Sequence, residues 1–145
     1  MTESLTITRE FAATPAAVFA LWTDPGKFAT WFGTDAIPVP AETLSYDAAP
    51  GNTWTAVMHL PDGSTKDWVG EFIEVTPTSR FVMTLTDEPE NPARATVTAV
   101  LTETPTGTEL SMTQAGAPMS DEMVAGLTMG YNAFFDTMEK ILAAD

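Results

Sequence analysis

The amino-acid sequence predicts an α+β fold: a curved antiparallel sheet of six or seven strands gripping one long C-terminal helix, with two short helices after the first strand. Three observations predict it. An alternating segment opens the chain and two short helical stretches follow it. Alternating segments joined by short turns then succeed one another as far as Gln114, which implies antiparallel pairing. A single amphipathic stretch from about Ser120 to Leu142 closes the chain, and it alone is long and apolar enough to cover such a sheet. A curved sheet gripped by one helix tends to leave a cavity between the two, so the order of patterns points to a container.

Leu5, Ile7, Arg9 and Phe11 fall on one face of an opening strand. Thr14-Pro15 supplies a cap and a proline at the first position of a helix carrying Val18, Phe19, Leu21 and Trp22. Asp24-Pro25-Gly26 interrupts it, and a second short helix carries Phe28, Trp31 and Phe32. Ile37-Pro38-Val39-Pro40 is too proline-rich for a sheet interior, and a strand around Glu42 to Tyr46 is expected after it.

Pro50-Gly51-Asn52 then turns the chain. Trp54, Ala56, Met58 and Leu60 form one face of the next strand, which ends at the hairpin turn Pro61-Asp62-Gly63. From Lys66 to Val75 two apolar sets compete, Trp68 with Phe72 and Val69 with Ile73 and Val75; a bulge near Glu74 would switch the register. Arg80 to Leu85 and Ala95 to Leu101 are further strands, separated by the acidic loop Asp87 to Pro92. Thr106-Gly107 makes another hairpin, Leu110, Met112 and Gln114 share the last strand face, and Gly116-Ala117-Pro118 is expected to end the sheet. Ser120 is a good N-cap, Asp121 and Glu122 suit the positive end of the helix dipole, and Met123, Leu127, Tyr131, Phe134 or Phe135, Met138 and Leu142 form the apolar stripe.

Composition narrows the function. With 145 residues, 44% of them hydrophobic, and no repeat or linker, the chain reads as one domain spanning 1–145. Six basic against twenty acidic residues give a net charge of -14, a surface that repels phosphate backbones and anionic lipid heads, so neither nucleic acid nor membrane is an expected partner. No apolar run is long enough to span a bilayer and the first residues carry no signal-peptide pattern, so a cytoplasmic location is expected. The absence of cysteine excludes disulfides and thiolate chemistry, and a single histidine excludes any site needing two imidazoles. No nucleophile elbow, phosphate-binding glycine loop or dinucleotide fingerprint is present, and neither a cofactor nor a metal is expected.

Several segments in this order resemble a known family. They are Phe11-Ala12-Ala13-Thr14-Pro15-Ala16-Ala17-Val18-Phe19 after the first strand, Thr23-Asp24-Pro25 with Trp31, Pro50-Gly51-Asn52-Thr53-Trp54, Gly70-Glu71-Phe72-Ile73-Glu74-Val75-Thr76-Pro77 leading to Arg80-Phe81, and Gly107-Thr108-Glu109-Leu110 before the helix with Gly130, Tyr131, Phe135, Met138 and Leu142. Together they resemble the family named after the activator of heat-shock protein 90 ATPase, within the START and polyketide-cyclase (SRPBCC) superfamily. The resemblance implies the helix-grip fold over nearly the whole chain and a role in binding small molecules. It implies no catalytic residues, since that family has no universal ones. Asn52 and Tyr131 depart from it, standing where a glycine and a tryptophan are usual; the phenol would reshape or polarise a cavity.

The candidate ligand-binding residues are Arg9, Trp54, Phe72, Met83, Met112, Gln114, Tyr131, Phe135 and Met138. The apolar members are expected to face the space between sheet and helix, where methionines adapt to an apolar ligand; the plainer alternative is that they fill a solid core. Arg9 interrupts an apolar face and needs a carboxylate, an anionic ligand or water for its head group. Gln114 offers a donor and an acceptor either to a ligand or to nearby backbone. His59 is expected on the outer face, and Asp87, Glu88 and Glu90 in a solvated loop. The leading expectation is therefore a binding protein for a small hydrophobic or amphipathic molecule, monomeric or homodimeric. A cyclase- or hydrolase-type enzyme using the same cavity, with Arg9, Tyr131 and Gln114 as its polar groups, and a co-chaperone-like interaction protein are the alternatives.

Overall fold

A computed structural model describes residues 2–34 and 37–144. Six strands form the sheet: β1 (Thr2–Phe11), β2 (Thr53–His59), β3 (Thr65–Thr76), β4 (Arg80–Leu85), β5 (Ala95–Thr104) and β6 (Gly107–Met119). All neighbours pair antiparallel, in the order β1-β6-β5-β4-β3-β2. The first two strands in sequence thus stand at opposite edges. The chain crosses between them through α1 (Pro15–Thr23) and α2 (Pro25–Gly33), and α3 (Asp121–Ala144) packs on β1, β6 and α2. This is the expected helix-grip arrangement.

Local chemistry explains the helix ends. The Thr14 hydroxyl accepts from the Ala17 amide at 3.2 Å, with Pro15 at the first helical position. Asp24 serves both short helices: its amide donates to the Ala20 carbonyl at 2.9 Å, ending α1, and its carboxylate accepts from the Lys27 amide at 3.1 Å, starting α2. Ser120 caps α3 through the Met123 amide at 3.2 Å. No helix among the described residues is long and apolar enough to cross a membrane.

The bulge expected near Glu74 is present. Phe72 pairs with Met83 but Glu74 pairs with Val82, so one extra residue enters β3 between them. Ile73 is left half exposed, while Phe72 is buried and Val75, opposite Phe81, packs on the core. Both competing apolar sets are therefore partly right, on either side of the bulge.

Three expectations need correction. No strand runs from Glu42 to Tyr46; Ala41–Thr43 is a single 3-10 turn, and one bridge joins Ser45 to Thr55. Tyr46 instead turns inward, stacks on Phe28 with ring centroids 4.1 Å apart, and donates its hydroxyl to the Trp22 carbonyl at 2.6 Å, which anchors the segment to the short helices. The sheet does not end at Gly116-Ala117-Pro118, because β6 continues to Met119 and pairs there with Thr2. The pairing of β5 with β6 stops at Ala115, so Pro118 sits where only one neighbour remains and its missing amide is tolerated. Met123 lies outside the buried stripe of α3, 52% exposed on the first turn of the helix.

The core runs between the sheet and the helices. Trp22, Trp31, Phe28 and Phe81 interlock through tilted and edge-to-face contacts at one end. Phe11 meets Phe135 edge-on at 6.2 Å under α3. His59 is exposed on the outer face of β2, as its alternation implies.

Candidate functional site

The packing of α3 on β1, β6 and α2 leaves space over β4 and β5. A cavity of about 640 Å³ occupies it, within the roughly 300–1,000 Å³ of small-molecule sites. Its roof is one face of α3, presented by Met123, Gly126, Leu127, Gly130, Tyr131 and Phe134 at helical spacing. Its floor is the inner face of the sheet, with Met83 and Leu85 on β4, Val97 on β5 and Gln114 on β6. Phe32 and Trp68, edge-to-face at 5.3 Å, close one side. The loop between β4 and β5, with Asp87, Glu88, Asn91 and Arg94, borders the mouth.

Two glycines keep the roof bare. A Cβ added at Gly126 or at Gly130 would meet no atom within 4 Å. Backbone packing does not require glycine at either position, although glycine inside a helix costs about 1 kcal/mol relative to alanine. The cavity therefore reaches the helix backbone itself.

The inner wall is polar at one point. The Tyr131 hydroxyl hydrogen-bonds the side-chain carbonyl oxygen of Gln114, joining α3 to β6. Tyr131 is buried, and burial holds its phenol well above the ordinary 10.0. Gln114 is only half buried and lines the cavity, and its amide nitrogen has no hydrogen-bond partner among the described residues.

At the mouth the charges are paired unevenly. Lys66 and Asp87 form an ion pair at 3.2 Å, and Glu88 accepts from the Asn91 side-chain amide at 3.1 Å. Arg94 donates to the backbone carbonyls of Asn91 and, at 3.4 Å, Pro89. It forms no ion pair among the described residues.

Of the nine residues expected to contact ligand, Met83, Gln114 and Tyr131 line this cavity. Trp54, Phe72, Met112, Phe135 and Met138 are fully buried in the core. Trp54 lies against Gly70 and donates its indole N–H to the Thr84 carbonyl at 3.1 Å. Phe72 is wedged between Tyr46 and Phe81. Arg9 lies on the flank of α3. Its guanidinium reaches Asp136 at 2.8 Å, Glu139 at 3.1 Å and the Asn132 side chain at 3.1 Å, and lies 5.4 Å from the centre of the Phe135 ring. This clamp ties β1 to the C-terminal half of α3, away from the cavity. Sequence reasoning missed Arg94, Gly126, Leu127 and Gly130 as cavity residues. The signal for the glycines was present, since glycine inside a strong helical pattern often has a packing or functional reason. Nothing local marked Arg94.

The family described as "Activator of Hsp90 ATPase homolog 1-like protein" matches residues 12–143. No curated protein matches the chain in sequence. Among solved structures, a protein from Chromobacterium violaceum superimposes with a TM-score of 0.86 at 22% identity, each chain covered over 100% of its length. The AHSA1 protein from Silicibacter pomeroyi gives a TM-score of 0.79 at 26% identity, covering 97% of this chain and 98% of that one. An AHSA1-like protein from Aeromonas hydrophila gives 0.78 at 20% identity, covering 97% of this chain and 92% of that one. The family match over almost the whole sequence, on a sheet-and-helix frame shared with these structures, places this chain in the activator of Hsp90 ATPase homolog 1-like family, with the SRPBCC fold.

Proposed function

We propose that the protein binds a small, mostly apolar or amphipathic molecule in the cavity between the sheet and α3. The carrying observation is the cavity itself: about 640 Å³, walled largely by aliphatic, aromatic and methionine side chains, with one polar pair, Tyr131 and Gln114, on its inner wall. Such a mostly apolar space with a few converging polar groups is the usual form of a ligand site. Methionines at 83, 119 and 123 let the walls adapt to shape. An enzyme would need titratable groups converging inside the space. Among the described residues Tyr131 alone fills that role on the inner wall, and burial keeps it protonated.

The test is calorimetry with a panel of small apolar and amphipathic molecules on the full chain and on Gly126→Leu. The new side chain projects into open space and suits a helix, so the variant should fold while its cavity is blocked. Binding to the parent protein and its loss in Gly126→Leu is the expected result. Absence of any binding, or binding indifferent to the substitution, would defeat the proposal.

A further inference from the structure

We propose that Arg94 reads the head group of the cavity ligand, and that this ligand is an amphipathic monoanion lying with its charge at the mouth and its apolar body under α3. The inference rests on the binding function proposed above and narrows its ligand class.

The charge inventory carries it. The chain has six cationic side chains against twenty carboxylate ones, and of the six Arg94 is the one that lines the cavity; Lys27 and Lys140 lie on α2 and α3 outside its lining and have interactions of their own. Arg9 pairs with Asp136 and Glu139, Lys66 with Asp87, and Arg80 with Glu74. Arg94 pairs with no carboxylate among the described residues, although Asp87 and Glu88 border the same mouth. Asp87 is taken by Lys66, and Glu88 by the amide of Asn91. Arg94 is held by the loop's own carbonyls, at Asn91 and Pro89, so its position is set while part of its hydrogen-bonding edge stays unused. A guanidinium offers five donors in a planar fork that matches two oxygens of one anionic group. Arg94 is partly buried, and its sequence neighbours Ala93 and Ala95 also line the cavity, so a ligand's apolar body and its charged end are met by adjoining residues.

Calorimetry at neutral pH with decanoate, decanol and decyltrimethylammonium tests this, since the three share one chain and differ in head-group charge. Decanoate should bind roughly tenfold more tightly than decanol, about the effect of one charge-assisted contact. Arg94→Gln should bring the two to equal affinity, and Arg94→Lys, which keeps the charge but not the fork, should retain part of the preference. Thermal melts will show that both variants fold. Equal affinity for decanoate and decanol in the parent protein overturns the inference, as does a preference that survives Arg94→Gln. Tighter binding of decyltrimethylammonium does so too, because it would mean that the mouth carboxylates read a cation. In each of those cases loss of binding in Gly126→Leu still supports the cavity as the site. If none of the three compounds binds while another member of the panel does, this inference alone falls; if Gly126→Leu leaves binding intact, the cavity reading fails and this inference falls with it.

Discussion

Tyr131 and Gln114 join the helix to the sheet by one hydrogen bond on the inner wall of the cavity. The phenol is buried and the amide is half buried, so the bond lies between protein interior and cavity. It engages only the oxygen of the Gln114 side-chain amide.

Tyr131→Phe should therefore cost only about 0.5–1.5 kcal/mol of stability, because the carbonyl oxygen left behind still faces a cavity that water can enter. Affinity for a ligand bearing a hydroxyl or carbonyl group should fall, while that for a pure hydrocarbon should not. Denaturant melts and calorimetry measure the two effects separately. Equal losses for both ligand types would show that the phenol only shapes the wall.

The two tyrosines predict an alkaline limit. Burial pushes the phenols of Tyr46 and Tyr131 above the ordinary 10.0. In the unfolded chain they ionise near that value, so between it and the folded values the unfolded state loses protons first. Their contribution is full below about pH 10 and declines as pH rises towards the folded values. Ultraviolet titration should find no tyrosinate while circular dichroism remains native, and its appearance should coincide with unfolding. Tyrosinate forming in the native protein near pH 10 would mean that a hydroxyl reaches solvent.

Arg9→Met should destabilise the protein by about 1 kcal/mol, since it removes a partly exposed cluster of contacts to Asp136, Glu139 and Asn132. The deficit should shrink in high salt, which screens the ion pairs. Ligand affinity should not change, because Arg9 does not line the cavity. A change in affinity without a change in melting temperature would reverse this assignment.

Gly126→Ala and Gly130→Ala should each raise stability by about 0.5–1 kcal/mol, since a methyl group there meets nothing and glycine is the poorer helix former. Both should weaken ligand binding by narrowing the roof. Stabilisation with unchanged binding would show that the ligand does not reach the helix backbone.

Gly70→Ala should act in the opposite direction. Its Cβ would fall 1.8 Å from the Thr84 carbonyl oxygen and 2.4 Å from the Trp54 indole nitrogen. Parting β3 from this neighbour should cost about 2–3 kcal/mol and disturb the Trp54–Thr84 hydrogen bond. Tryptophan fluorescence and denaturant melts read both; a neutral outcome would show that the strand can shift without loss.

Much of the fold was legible in the sequence because it depends on local signals. Thr14-Pro15, Asp24-Pro25 and Ser120 mark helix starts through side chains that bond nearby amides. Alternation placed Trp54, Ala56 and Met58 inward and His59 outward, since a strand's side chains can only point to two faces. The doubled apolar pattern of Lys66 to Val75 even announced the bulge beside Glu74. Tertiary structure alone decided which inward residues border empty space. Met112 on β6 and Met83 on β4 both face inward, with β5 between their strands, yet of the two only Met83 lines the cavity, because α3 packs on β1 and β6 while the space opens over β4 and β5. Arg9 was ambiguous for the same reason, its partners lying more than a hundred residues away on the helix. Arg94 carried no local mark, since what sets it apart is where the other charges found their partners. Periodicity and capping act over a few residues, whereas a cavity and an unpaired charge are properties of how distant elements meet.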